Sequence, residues 1–100
     1  MGLMGDVVSS YSVIQFSLEN GPEGRPAQRT KNWGSHANVE AAFTNARCLA
    51  NLSWHKLRRE RAAESPTLVD TEWGYDLRIG NETVHRFWVH ENVVGPRLLR

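Results

Sequence analysis

The chain holds a single cysteine, Cys48. No disulfide can therefore close within it, and the usage suits a reducing compartment. No apolar run reaches the roughly 18 residues that a bilayer-spanning helix needs. Neither sign of charge is in excess: 12 Lys and Arg stand against 11 Asp and Glu, a net +1. A protein that lives on phosphate contacts carries a larger basic surplus. The opening Met1-Gly2-Leu3-Met4-Gly5-Asp6 lacks the basic region and apolar core of a secretion signal. It also has Asp6 where the myristoylation pattern requires Ser or Thr. The expectation is a cytoplasmic protein.

Metal-ligand spacing is missing too. His85 and His90 differ by an odd number, so a straight strand sends them to opposite faces, while His36 and His55 flank the helical region. No phosphate loop occurs, since Gly21-x-x-Gly24 lacks a strand–turn–helix setting. The reading expects no metal and no cofactor.

What is present is an ordinary globular composition, 40% hydrophobic and 23% charged over 100 residues, with four tryptophans. That predicts one domain, residues 1–100, with flexible tails at 1–9 and 91–100. The clearest pattern runs from Asn38 to about Ala63. At 3.6 residues per turn, Val39, Ala42, Phe43, Ala46, Leu49, Ala50, Trp54 and Leu57 fall in one arc about 140° wide. Ser35 or Asn38 can cap this helix and Glu40 suits its first turn. Ser65-Pro66 stops it, because proline disfavours a helical residue before it.

The flanks read as strands. Tyr11 to Leu18 alternates Ile14, Phe16 and Leu18 against Val13, Gln15 and Ser17. Residues 19–35, with three Gly and two Pro, read as a long mobile loop that Trp33 can pin, with room for a short strand around 28–33. From Thr67 the period is two through Ile79, Gly80-Asn81 is a two-residue hairpin, and a third strand returns from Glu82 to His90. In a straight ladder from Ile79–Glu82, Trp73 faces Trp88, Tyr75 faces Arg86, Leu77 faces Val84 and Asp76 faces His85. The predicted fold is α+β: one long amphipathic helix on one face of a three- to four-stranded, mostly antiparallel sheet, in the order β-loop-α-β-β. A right-handed crossover makes the first strand parallel to the second, with the third between them or on the edge. Phe43, Leu49, Trp54 and Leu57 are then expected to pack on Ile14, Phe16, Trp73, Leu77 and Val84.

The opening strand, Glu40-Ala41-Ala42 with Ala46-Arg47-Cys48-Leu49-Ala50, and Tyr75-Asp76-Leu77-Arg78 before a tight turn resemble a group of small bacterial proteins. These are the β-α-β-β proteins of unassigned function common in α-proteobacteria. The likeness spans residues 11–90. The Trp33 loop and Phe87-Trp88 depart from it. It implies a fold and carries no activity.

Three functional readings follow. The leading one is a non-catalytic protein-interaction module, a homodimer or an adaptor or inhibitor docking on a larger protein. It would use the uncovered sheet face, with Phe87, Val89 and Val13 at the centre and Glu72 and Arg78 at the rim. The alternative is nucleic-acid binding through Arg47, Lys56, Arg58, Arg59 and Arg61 on the helix. The second alternative is an enzyme using Asp76 and His85 as an acid–base pair, an arrangement that also describes a simple cross-strand charge pair. Cys48 and His55 lie two turns apart, about 10 Å, which is too far for a nucleophile pair.

Overall fold

In the computed structural model, residues 8–20 and 26–94 are described. The elements are β1 (Val8–Asn20), β2 (Pro26–His36), α1 (Val39–Glu60), a 3-10 turn (Ala62–Glu64), β3 (Thr67–Thr71), β4 (Gly74–Ile79) and β5 (Glu82–Val94). The five strands form one sheet in the order β2-β1-β5-β4-β3, antiparallel at every junction. The helix lies across one face. The fold is α+β as expected, with five strands instead of three or four.

The helix starts where its cap dictates. Asn38 is extended, and its side-chain oxygen accepts from the N–H groups of Glu40 and Ala41 at 2.7 and 3.2 Å. Ala42, Ala46 and Ala50 are fully buried at four-residue spacing. Such a ridge of small side chains lets the helix axis approach the sheet closely. Phe43, Leu49 and Trp54 flank it and are partly buried, while Leu57 closes the far end. Past the helix, Ser65 adopts a left-handed conformation ahead of Pro66. The indole N–H of Trp54 donates to the Pro66 carbonyl at 3.0 Å, which ties the helix exit to the start of β3.

Four expectations change. Most of the 19–35 loop is strand: β2 pairs with β1 from Tyr11↔His36 to Asn20↔Pro26. Residues 21–25 lie outside the described residues. It is an edge strand, so its exposed Gln28, Arg29, Thr30, Lys31 and Asn32 show no apolar alternation, and charge there blunts edge-to-edge pairing. Trp33 does anchor it, donating to Gln15 Oε1 at 2.9 Å. The expected tails overlap the sheet as well. Val8, Ser9 and residues 91–94 are strand, and residues 1–7 and 95–100 lie outside the described residues.

The expected strand from Thr67 to Ile79 is two strands, joined by a tight turn at Glu72-Trp73. A Cβ on Gly74 would overlap the Phe87 carbonyl oxygen, so only glycine permits β5 to lie this close behind the turn. β5 sits between β1 and β4, antiparallel to both, so β1 runs parallel to β4 with the last strand between them, one of the two placements expected.

The last change decides the faces. The hairpin begins in the expected register, Ile79↔Glu82 and Arg78↔Thr83. A bulge then absorbs Val84, and the ladder resumes as Leu77↔His85, Asp76↔Arg86, Tyr75↔Phe87 and Gly74↔Trp88. One inserted residue turns every later side chain of β5 to the other face. Phe87 and Val89 move under the helix, where with Val13, Tyr75 and Leu77 they form the core. Ile14, Phe16 and Trp73, expected beneath the helix, lie outside that core.

Candidate interaction surface

The face opposite the helix is assembled from alternate positions of the ladder. From β1 come Ile14, Phe16 and Leu18, and from β5 Arg86 and Trp88. From β4 come Asp76 and Arg78, from β3 Val69, and from the β3–β4 turn Trp73. Leu18, Trp73 and Trp88 are 45, 43 and 42% exposed. The Phe16 and Trp88 rings meet edge to face at 6.1 Å.

An ion pair stands in the middle. The Asp76 carboxylate is 1% exposed and accepts from Arg86 Nε at 2.9 Å and Arg86 Nη2 at 3.1 Å. This bidentate grip fixes the guanidinium plane. It also raises the Arg86 pKa above its ordinary value, so the group stays charged. Arg78 approaches the same carboxylate at 3.9 Å. The Arg86 guanidinium lies 5.9 Å from the Trp88 ring centre. Two shallow depressions adjoin this ridge. One of about 210 Å³ is lined by Thr71, Glu72, Trp73, Arg86 and Trp88. The other, about 340 Å³, is lined by Phe16, Leu18, Gln28, Thr83, Arg86 and Trp88.

The structure redistributes the residues singled out from sequence. Val13, Phe87 and Val89 are core, 0, 0 and 1% exposed: the Val84 bulge turned Phe87 and Val89 under the helix, and Val13 is the β1 partner of Val89. Glu72 and Arg78 do border the open face, Glu72 in the depression beside Trp73 and Arg78 near Asp76. Asp76 and His85 are not partners. Asp76 belongs to the open face, and His85 to the other, where its Nδ1 lies 2.9 Å from Ser17 Oγ. Trp33 N–H donates to Gln15 Oε1, and the Gln15 amide donates to Ser17 at 3.2 Å. Ser17 Oγ and His85 Nδ1 can share a hydrogen bond in either direction, the hydroxyl donating to the ring or accepting from it. These residues sit beside a polar cleft of about 540 Å³ that Gln15, Lys56, Glu60, Arg61, Glu64 and His85 help to line.

The basic helix residues do not gather. Arg47 donates to the Tyr75 hydroxyl at 3.3 Å, Arg58 lies over the Trp54 ring at 4.7 Å, and Arg61 pairs with Glu64. Lys56 enters the polar cleft beside Glu60 and Glu64. Arg59 is exposed near Arg58. Arg47 and Arg61 are about 21 Å apart along the axis. Among the described residues no cluster of metal-binding side chains occurs, and no helix is long and apolar enough to cross a membrane. Cys48 is exposed.

Sequence reasoning missed Trp88, Arg86 and Phe16 as surface residues. The signal was available in the pairing: moving the register by one sets Asp76 against Arg86 and Tyr75 against Phe87, a better charge pair and an aromatic pair. No protein-family model, no curated protein and no solved structure matches the chain.

Proposed function

We propose that this chain is a non-catalytic protein-interaction module that docks through the open face of its sheet. One observation carries the reading. β1 sends Tyr11, Val13, Gln15 and Ser17 toward the helix and Ile14, Phe16 and Leu18 away from it. A strand that needed only to fold a monomer would gain nothing from three large apolar side chains on the outer face, since each one buried contributes about 1.5–3 kcal/mol. β5 repeats the choice with Trp88. The side chains left outside are those that an interface uses.

Composition supports the same reading. Among the described residues, the ladder positions of this face carry Trp, Phe and Arg and no Lys or Glu. Interface centres are enriched in the first set and depleted in the second. Bases could stack on such rings, but strand-tracking surfaces also need a basic groove. Here the Arg86 charge is already taken up by Asp76.

A photo-crosslinking amino acid tests this. Benzoylphenylalanine placed at Trp88, in the chain expressed in its own host, should give a discrete protein adduct that Phe16→Glu abolishes. The same group at Leu52, which is 63% exposed on the helix, should give none. Adducts from Leu52 alone, or from neither position, would contradict the proposal.

A further inference from the structure

We infer that the open face is covered by a second copy of this chain, packed sheet to sheet across a twofold axis, with Glu72 of each protomer against Arg78 of the other. This rests on the docking role proposed above and names its occupant.

The charges of the face point to it. Among the described residues they are Glu72, Asp76, Arg78 and Arg86, two of each sign. Arg86 and Asp76 neutralise one another within the chain. That leaves Glu72, exposed and without an ion-pair partner among the described residues, and Arg78, which stands 3.9 Å off an already occupied carboxylate. The Arg78 Nε is buried with no hydrogen-bond acceptor. Arg78 lies near one end of β4 and Glu72 in the turn at the other, about 16 Å apart. A twofold axis running across the strands brings one end of each copy over the other end of its mate. Both Glu72–Arg78 pairs then form together, as an isologous contact requires. Parallel stacking would instead set like charges face to face.

Size and relief agree. Five strands make a face about 24 Å wide and about 25 Å long, so two copies cover about 1,200 Å², the lower bound for a stable standard interface. Packed sheets stand about 10 Å apart with their side chains interdigitated. The Arg86–Trp88 ridge lies between two depressions. Reversal along the strands allows the ridge of one copy to enter a depression of the other.

Sedimentation and crosslinking decide it. At about 100 µM the wild type should sediment at twice the 11.4 kDa chain mass. Trp88→Glu should weaken association by at least about 30-fold, and Leu18→Arg, at a more exposed position, should weaken it as well. In a Cys48→Ser background, a chain with Glu72→Cys mixed with one carrying Arg78→Cys should form a disulfide dimer under diamide. Neither should crosslink alone. A wild-type monomer would overturn the second copy while leaving the Trp88 crosslinking result to stand or fall separately. A dimer untouched by Trp88→Glu and Leu18→Arg would move the interface off this face and overturn both. Crosslinking of either single-cysteine chain alone, or a dimer that gives no crosslink in the mixture, would overturn the Glu72–Arg78 alignment.

Discussion

Arg86 stands opposite Asp76 across β4 and β5 and holds both oxygens of its carboxylate, at 2.9 and 3.1 Å. The pair sits on the side away from the helix, so a charge that is 1% exposed is buried by its partner and by its neighbours on an open face. Removing the cation should cost more than removing the anion. Arg86→Ala leaves a buried carboxylate with only Arg78 nearby, and should destabilise the chain by about 2–4 kcal/mol. Asp76→Asn leaves an arginine that is 47% exposed and can be hydrated, and should cost about 1 kcal/mol. Urea unfolding of the two variants checks the order; equal losses would mean that the pair is not the centre of this face.

The alanine ridge of the helix sets the spacing between helix and sheet. Ala46 has no exposed surface and sits in the cluster with Tyr75, Leu77 and Phe87. Ala46→Leu should lift the helix and cost about 1–3 kcal/mol, even though leucine is a good helix former. The equivalent change at the exposed Cys48, Cys48→Leu, should lie within about 0.5 kcal/mol of wild type. Thermal melts of both variants give the comparison.

Much of this was legible and some was not, for physical reasons. The helix announced itself by its period, its Asn38 cap and the Ser65-Pro66 stop. The hairpin at Gly80-Asn81 did so by its glycine, which has φ 61°. The edge strand β2 was hidden because both of its faces meet water, so no apolar alternation marks it. The Glu72-Trp73 turn was hidden because the period-two pattern runs through it unbroken. The faces of β5 were inverted because a single bulged residue, Val84, leaves no trace in alternation counted from the turn. That inversion is why the open face was foreseen and its occupants were not.

Beyond the helix, Arg61 holds Glu64 by two hydrogen bonds on the surface. The bond lowers the Glu64 pKa below its ordinary value of 4.5. A lowered carboxyl pKa stabilises the fold above the unfolded value, and that contribution is lost as pH falls through the folded value. A carboxyl-carbon NMR titration should find Glu64 below the ordinary value, and Arg61→Ala should return it there. A Glu64 pKa unchanged by that substitution would remove the pair as the cause.

Adjacent residues give the most direct test of the central claim, that the Val84 bulge points Phe87 into the core and Trp88 out to a contact surface. Phe87→Glu and Trp88→Glu can be compared by thermal melting and sedimentation at one concentration. Phe87→Glu places a charge in a fully buried site and should cost about 4 kcal/mol or more, most of the stability of a domain this size. Trp88→Glu should melt within about 3 °C of the wild-type monomer and fail to associate. A folded Phe87→Glu beside an unfolded Trp88→Glu would contradict the bulge, the assignment of the two faces and the docking surface built on them.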